Sequence, residues 1–223
     1  MKQLTQNLEL HFPNCLYLKN PKGSEIGESI VEMGAHFLGN FGLEELTFKK
    51  LASEVGCTEA TIYRYFNNKQ QLLLYILNIY WSWQEYVIVF NCQNIENAEI
   101  KLKRVISALA KPEFEFLANR TFANNVLLTA INEGVKAHYT IHIQNEMDHG
   151  KTIGYQRLIS RIAEYIEEYN KLYPYSNSMA ICLADSALQQ LFIQSHHKNK
   201  TKTAIGVENI EKFLFSILPN KLK

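Results

Sequence analysis

Between Thr47 and Lys69 the chain gathers residue types suited to gripping a polyanion and touching small polar edges. Thr47 precedes Phe48-Lys49-Lys50, and Thr58 precedes Glu59-Ala60-Thr61, so two threonines stand where helices can begin. A hydroxyl in that position accepts from backbone N–H groups and borders the anion site that a helix start provides. Ala60 permits close approach, Thr61 offers a hydroxyl and a methyl group, and Glu59 can accept from a cytosine amino group. Tyr63, Arg64 and Tyr65 follow on the next turn, in reach of bases or backbone, and the Tyr65 phenol can donate to a phosphate. Lys50 and Lys69 bring positive charge to either side. The chemistry implied is contact with double-stranded DNA: phosphates for register, base edges for sequence.

Each of these residues also has a plainer reading. Lys49 and Lys50 can simply be solvated, Tyr63 can pack against its own domain, and Glu59 can repel phosphates rather than meet a base. Phe48, Leu51, Ile62 and Phe66 are expected to be core.

Other constellations carry less. His138, His142 and Glu146 follow a spacing of four, with His149 nearby, as a helical metal site would. Tyr139 stands where an H-E-x-x-H motif needs glutamate, and no metal or cofactor is expected. His196-His197 is weaker still. Cys15, Cys57, Cys92 and Cys182 include no C-x-x-C pair, which argues against a zinc ribbon or redox motif and suits a reducing cytoplasm. No nucleophile–base pair or phosphate loop points to an enzyme.

The elements needed to position the DNA-facing residues are legible as an all-α pattern. Residues 1–23 form a lead segment, expected to be an extended arm because Pro13 and Pro21 bracket Asn14–Asn20. Ser24 caps a first helix whose apolar stripe is Ile26, Ile30, Met33 and Phe37, ending over Gly39–Gly42. Thr47 caps a short helix, Phe48 to Val55. Gly56 makes the turn, and Thr58 caps a third helix, Glu59 to Phe66. Two short helices separated by a glycine turn, each with an apolar inner face, form a helix-turn-helix. A long helix follows from Lys69 to about Phe90, then helices over Ala98–Ala110, Pro112–Gly134, Tyr155–Leu172, Asn177–Ser195 and Glu208–Leu218.

Charge adds only local support. The chain has 23 basic and 22 acidic residues, a net charge of +1, so it is no general polyanion binder. From Thr47 to Gln70, Lys49, Lys50, Arg64 and Lys69 outnumber Glu54 and Glu59, a surplus of +2. The stretch Leu72 to Phe90 is long enough to span a membrane, but Asn78, Gln84 and Glu85 interrupt it. An ionised residue there would cost roughly 2.5–3.5 kcal/mol on insertion, so a helix buried within a bundle is the expectation. No secretory leader is expected at Met1–Glu9, which lacks an apolar run. Along the long helix Leu72, Tyr75, Ile76, Ile79, Trp83, Tyr86 and Phe90 fall near one face. They are core or, with Phe114, Phe116, Phe122 and Tyr155, the wall of a ligand cavity for which Asn119, Arg120, Asn124 and Asn125 could supply polar groups.

The stretch LTFKKLASEVGCTEATIYRYFNNKQQLL resembles the DNA-binding signature of the TetR (tetracycline-repressor-like) family. The resemblance rests on Thr47, Lys50-Leu51-Ala52, Gly56, Thr61-Ile62-Tyr63, Tyr65-Phe66, Lys69 and Leu72, and covers residues 24–75, about a quarter of the chain. It implies an all-α protein with a helix-turn-helix domain at 24–70 and a helical ligand-binding and dimerisation domain at 71–223. It further implies a homodimer on a palindromic operator, usually a repressor, with a possible small-molecule ligand whose identity it leaves open. The last two helices, rich in Met179, Ile181, Leu183, Leu188, Leu191, Phe192 and in Ile210, Phe213, Leu214, would form the dimer interface or complete the monomer core. The alternative is a lipid- or small-molecule-binding protein, or an enzyme, with a vestigial helix-turn-helix.

Overall fold

In a computed structural model, residues 14–112, 119–143, 152–196 and 207–218 are described, the side chains of 138–143 and of 207–208 excepted. Among these described residues, two single 3₁₀ turns, Asn14–Leu16 and Pro21–Gly23, precede nine helices: α1 (Glu25–Glu45), α2 (Phe48–Val55), α3 (Glu59–Tyr63), α4 (Lys69–Cys92), α5 (Ala98–Ala110), α6 (Arg120–Ile143), α7 (Ile153–Tyr169), α8 (Ser176–His196) and α9 (Val207–Ser216). Among the described residues there is no strand, so the all-α expectation holds. No helix among them is long and apolar enough to cross a membrane.

The contacts divide the chain into two compact units: residues 1–80 with 114–153, and residues 81–113 with 154–223. The division is not linear along the chain. In the first unit α1 packs against α2 and, along its length, against α6, a helix distant in sequence. In the second unit α5 packs against α8 and α9.

Helix α1 starts where expected: Ser24 Oγ accepts from the Gly27 amide at 3.2 Å, with Glu25 and Glu28 in the positive first turn. Its buried face differs from the expected stripe. Ile30, Val31, Ala35 and Leu38 are buried, whereas Ile26, Met33 and Phe37 are only half-buried. The face is set by small residues that let α6 come close, a feature a count of large apolar side chains misses. A Cβ on Gly39 would stand 2.8 Å from the Asn125 carbonyl oxygen. The expected break over Gly39–Gly42 falls at Gly42, whose φ of +82° is left-handed territory, after which the chain resumes one more helical turn to Glu45.

The lead segment is not an extended arm over Asn14–Gly23. Leu16 is fully buried and Pro21 is buried, so this stretch folds back and packs. The two prolines allow a 3₁₀ turn as readily as extended chain, since a turn can begin at the proline itself.

Most of the later helices match their expected spans to within a few residues; Ala98–Ala110 matches at both ends. Helix α6 begins at Arg120, because Asn119 caps it by accepting from the Phe122 amide at 3.0 Å. Of the stretch expected to start it, residues 113–118 lie outside the described residues.

Candidate DNA-binding surface

Thr47 Oγ1 accepts from the Lys50 amide at 3.2 Å and starts α2, whose inner face of Phe48, Leu51 and Ala52 is buried. Gly56, at φ +74°, closes α2 in the left-handed conformation that glycine adopts without strain, its amide donating to the Ala52 carbonyl. Thr58 then starts α3. Its Oγ1 accepts from the Thr61 amide at 3.2 Å and lies 2.9 Å from the Thr61 hydroxyl. Ile62 is fully buried and anchors α3 to the core. The apolar sides of α2 and α3 therefore face inward together, and Thr58, Glu59, Ala60, Tyr63 and Arg64 are left exposed, with Thr61 half-buried at the edge.

Helix α3 is shorter than expected. It ends at Tyr63, after which the amides of Tyr65 and Phe66 both turn back to the Ile62 carbonyl at 2.9 and 3.0 Å. Tyr63 both packs and projects: its ring meets Phe48 edge-on at 5.0 Å while half of it stays in solvent.

Three expected DNA contacts find protein partners. Tyr65, expected to offer its phenol to a phosphate, is 2% exposed. Its hydroxyl lies 2.7 Å from Ser24 Oγ and accepts from Lys19 Nζ at 3.3 Å. The Ser24 bond, reinforced by Lys19, holds the phenol below its ordinary pKa. Lys50 Nζ meets the Glu45 carboxylate and carbonyl, each at 3.1 Å. Lys69 Nζ donates to the carbonyls of Leu43 and Glu44 at 2.9 and 3.3 Å, complementing the negative end of α1. An ammonium has three donors, so each lysine retains capacity for a phosphate.

The lead segment was the residue group sequence reasoning missed. The Leu18 amide donates to the Tyr65 carbonyl at 2.8 Å, Gln71 Nε2 donates to the Cys15 carbonyl at 2.9 Å, and Lys19 stands 5.0 Å over the Tyr65 ring. Residues Cys15–Lys19 thus strap down the exit of α3 and the start of α4. The available signal was short: the apolar run Cys15-Leu16-Tyr17-Leu18 between Pro13 and Pro21.

The candidate ligand residues are placed separately. In the first unit Phe122, Asn119 and Asn125 line an open cleft of about 340 Å³ with Glu32, His36 and Glu54. In the second unit the Tyr155 ring meets Trp81 edge-on at 5.3 Å, and its hydroxyl donates to Asp185 Oδ1 at 3.2 Å. Among the described residues Asp185 Oδ2 and the fully buried Gln84 Oε1 have no hydrogen-bond partner, and burial raises the Asp185 pKa. From Leu72 to Gln84 every residue of α4 is buried, so no single apolar face exists there, whereas Phe90 is exposed. Phe114 and Phe116 lie outside the described residues, as do Glu146, His149 and the side chains of His138 and His142. Among the described residues no group of three possible metal ligands occurs.

This geometry agrees with comparison to known proteins. Residues 30–76 match the family model for bacterial regulatory proteins of the tetR family. That match spans most of α1, the helix-turn-helix and the start of α4. No curated protein sequence matches it. Among solved structures the chain is similar to AibR in complex with isovaleryl coenzyme A and operator DNA, at 18% identity and a TM-score of 0.58, covering 87% of this chain and 99% of that one. It is similar to the fatty acid degradation regulator FadR from Bacillus halodurans, at 16% identity and a TM-score of 0.59, covering 87% and 97%. It is also similar to the TetR family transcriptional regulator PfmR from Thermus thermophilus, at 14% identity and a TM-score of 0.54, covering 87% and 98%. At these identities the likeness is one of fold, and it extends over nearly the whole length of each.

Proposed function

We propose that this chain is a homodimeric repressor that reads a palindromic operator through α3 and is released by a small molecule. One observation carries the reading: Ile62 anchors α3 while Thr58, Glu59, Ala60 and Arg64 project from it into solvent. A short helix held from behind, with small and polar residues outward, has the form that enters a major groove. Glu59, Thr61 and Arg64 are the candidates for base edges; Thr47, Lys50 and Lys69 are those for phosphates. Tyr65 supports these contacts from within rather than making one.

A two-fold dimer would match a palindrome and would need apolar surface for its interface. The exposed Phe192 on α8 and Phe213 on α9 supply some. A functional division near residue 70 fits this role, with DNA contact before it and ligand and partner contacts after it. A ligand that binds the DNA-competent and incompetent states unequally would shift operator occupancy. The AibR structure, which holds isovaleryl coenzyme A and operator DNA together, supports a fold able to take both kinds of partner.

The test is a mobility shift on DNA upstream of the protein's own reading frame, at low and high salt. A specific shift is expected, with Lys69→Ala lowering the salt slope by about one. The absence of any specific shift with purified dimer contradicts the reading.

A further inference from the structure

Three polar side chains of α6 hold the backbone of α1. Thr129 Oγ1 donates to the Ala35 carbonyl at 3.2 Å, Asn132 Nδ2 donates to the Gly39 carbonyl at 2.8 Å, and Glu133 Oε1 accepts from the Leu43 amide at 3.1 Å. The three targets lie four residues apart, so α6 grips one edge of α1 through successive turns. Glu133 is 8% exposed, an unusual place for a carboxylate without a purpose. The purpose is visible in the backbone. Gly42 leaves the helical conformation, so the Leu43 amide loses its acceptor within α1, and Glu133 replaces it.

The same short segment is held from its other side. The Leu43 carbonyl, with that of Glu44, accepts from Lys69 Nζ. Leu43 is therefore tied at its N–H to α6 and at its C=O to the first residue of α4. Without Glu133, the glycine at 42 leaves the peptide at Leu43 less restrained on its α6 side, because glycine restrains its backbone least. The carbonyls that aim the Lys69 ammonium would move with it.

We infer that Glu133 is a positioning residue for DNA binding: through Leu43 it fixes the carbonyls that hold Lys69 at the phosphate-facing edge of the helix-turn-helix. The inference rests on the reading of Lys69 as a phosphate contact. It makes α6, a helix outside the helix-turn-helix, a determinant of that contact.

Two measurements test it. In the free protein, lysine amines are acylated with an N-hydroxysuccinimide ester, and mass spectrometry gives the Lys69 rate relative to Lys49. That ratio rises several-fold in Glu133→Ala and returns toward the parent value in Glu133→Gln, whose amide oxygen still accepts from Leu43. Glu133→Met keeps the side-chain volume without the acceptor and gives the same readout if the alanine variant is unstable. An unchanged ratio in a folded variant overturns the inference, whether or not the protein binds DNA. On a DNA site bound by the parent, Glu133→Ala weakens binding roughly tenfold. In a Lys69→Ala background it adds no further loss, whereas an equal loss in both backgrounds overturns the inference. A parent that binds no specific site would contradict the proposed function, and the acylation ratio would still decide this one.

Discussion

The helix-turn-helix and the second unit treat polar groups in opposite ways. From Thr47 to Arg64 the polar side chains stand outward, and the ones that turn in do so to cap a helix: Thr47 to Lys50, Thr58 to Thr61. In the second unit Ser82, Gln84 and Asn170 are buried, and Gln84 and Asp185 each keep an oxygen with no partner among the described residues. The first region presents its polar side chains to solvent from a backing of buried apolar ones. The second stores polar groups inside, where each unpaired one costs free energy unless something else answers it.

The largest expected effect tests the rigidity of the first region. Ile62→Ala removes the fully buried anchor of α3 and should cost about 2–5 kcal/mol in denaturant unfolding. A loss under about 1 kcal/mol would mean that α3 is held by something other than its core face. Next, Thr61→Ala should cost about 1–3 kcal/mol of binding at one base position of the operator while leaving binding to the other positions intact. A uniform loss across sequences would assign Thr61 to the backbone instead. Thr58→Ala deletes the cap of α3 and should cost about 1 kcal/mol of stability.

The smallest expected effect concerns the buried polar groups of the second unit. Burial raises the Asp185 pKa above its ordinary 3.8. The folded state therefore holds that proton more tightly than the unfolded chain does, and stability falls as pH rises from about 3.8 toward the folded value. Asp185→Asn keeps an acceptor for Tyr155 and removes the charge. Its melting temperature should exceed that of the parent at pH 7, with the difference shrinking toward zero near pH 3. A variant less stable than the parent at pH 7 would mean that the ionised carboxylate has a partner in solution.

The same contrast explains what was legible in the sequence. The caps at Ser24, Thr47 and Thr58 and the turn at Gly56 are local, set by residues within four positions of one another, and all are found where the spacing places them. The shape of α3 was less legible. Its last turn loosens after Tyr63 because Tyr65 is drawn inward to Ser24, 41 residues away. Lys69 has its charge answered by carbonyls of α1, and Gly42 has its break answered by Glu133, 90 residues beyond Leu43. No periodicity records such pairings, since they arise when distant elements meet. The same holds for Leu16, whose burial depends on the folding back of a segment that by its prolines alone could be extended.

The central claim is that the exposed face of α3 reads a specific, two-fold symmetric DNA site. The most direct measurement is selection of purified full-length protein against a random double-stranded DNA library, sequenced over successive rounds at near-physiological salt. The account predicts enrichment of a palindrome with half-sites about one helical turn or a multiple of it apart, and loss of one base preference in each half-site with Thr61→Ala. Retention of DNA without any enriched motif, or a motif that Thr58→Ala, Thr61→Ala and Arg64→Ala all leave unchanged, would contradict it.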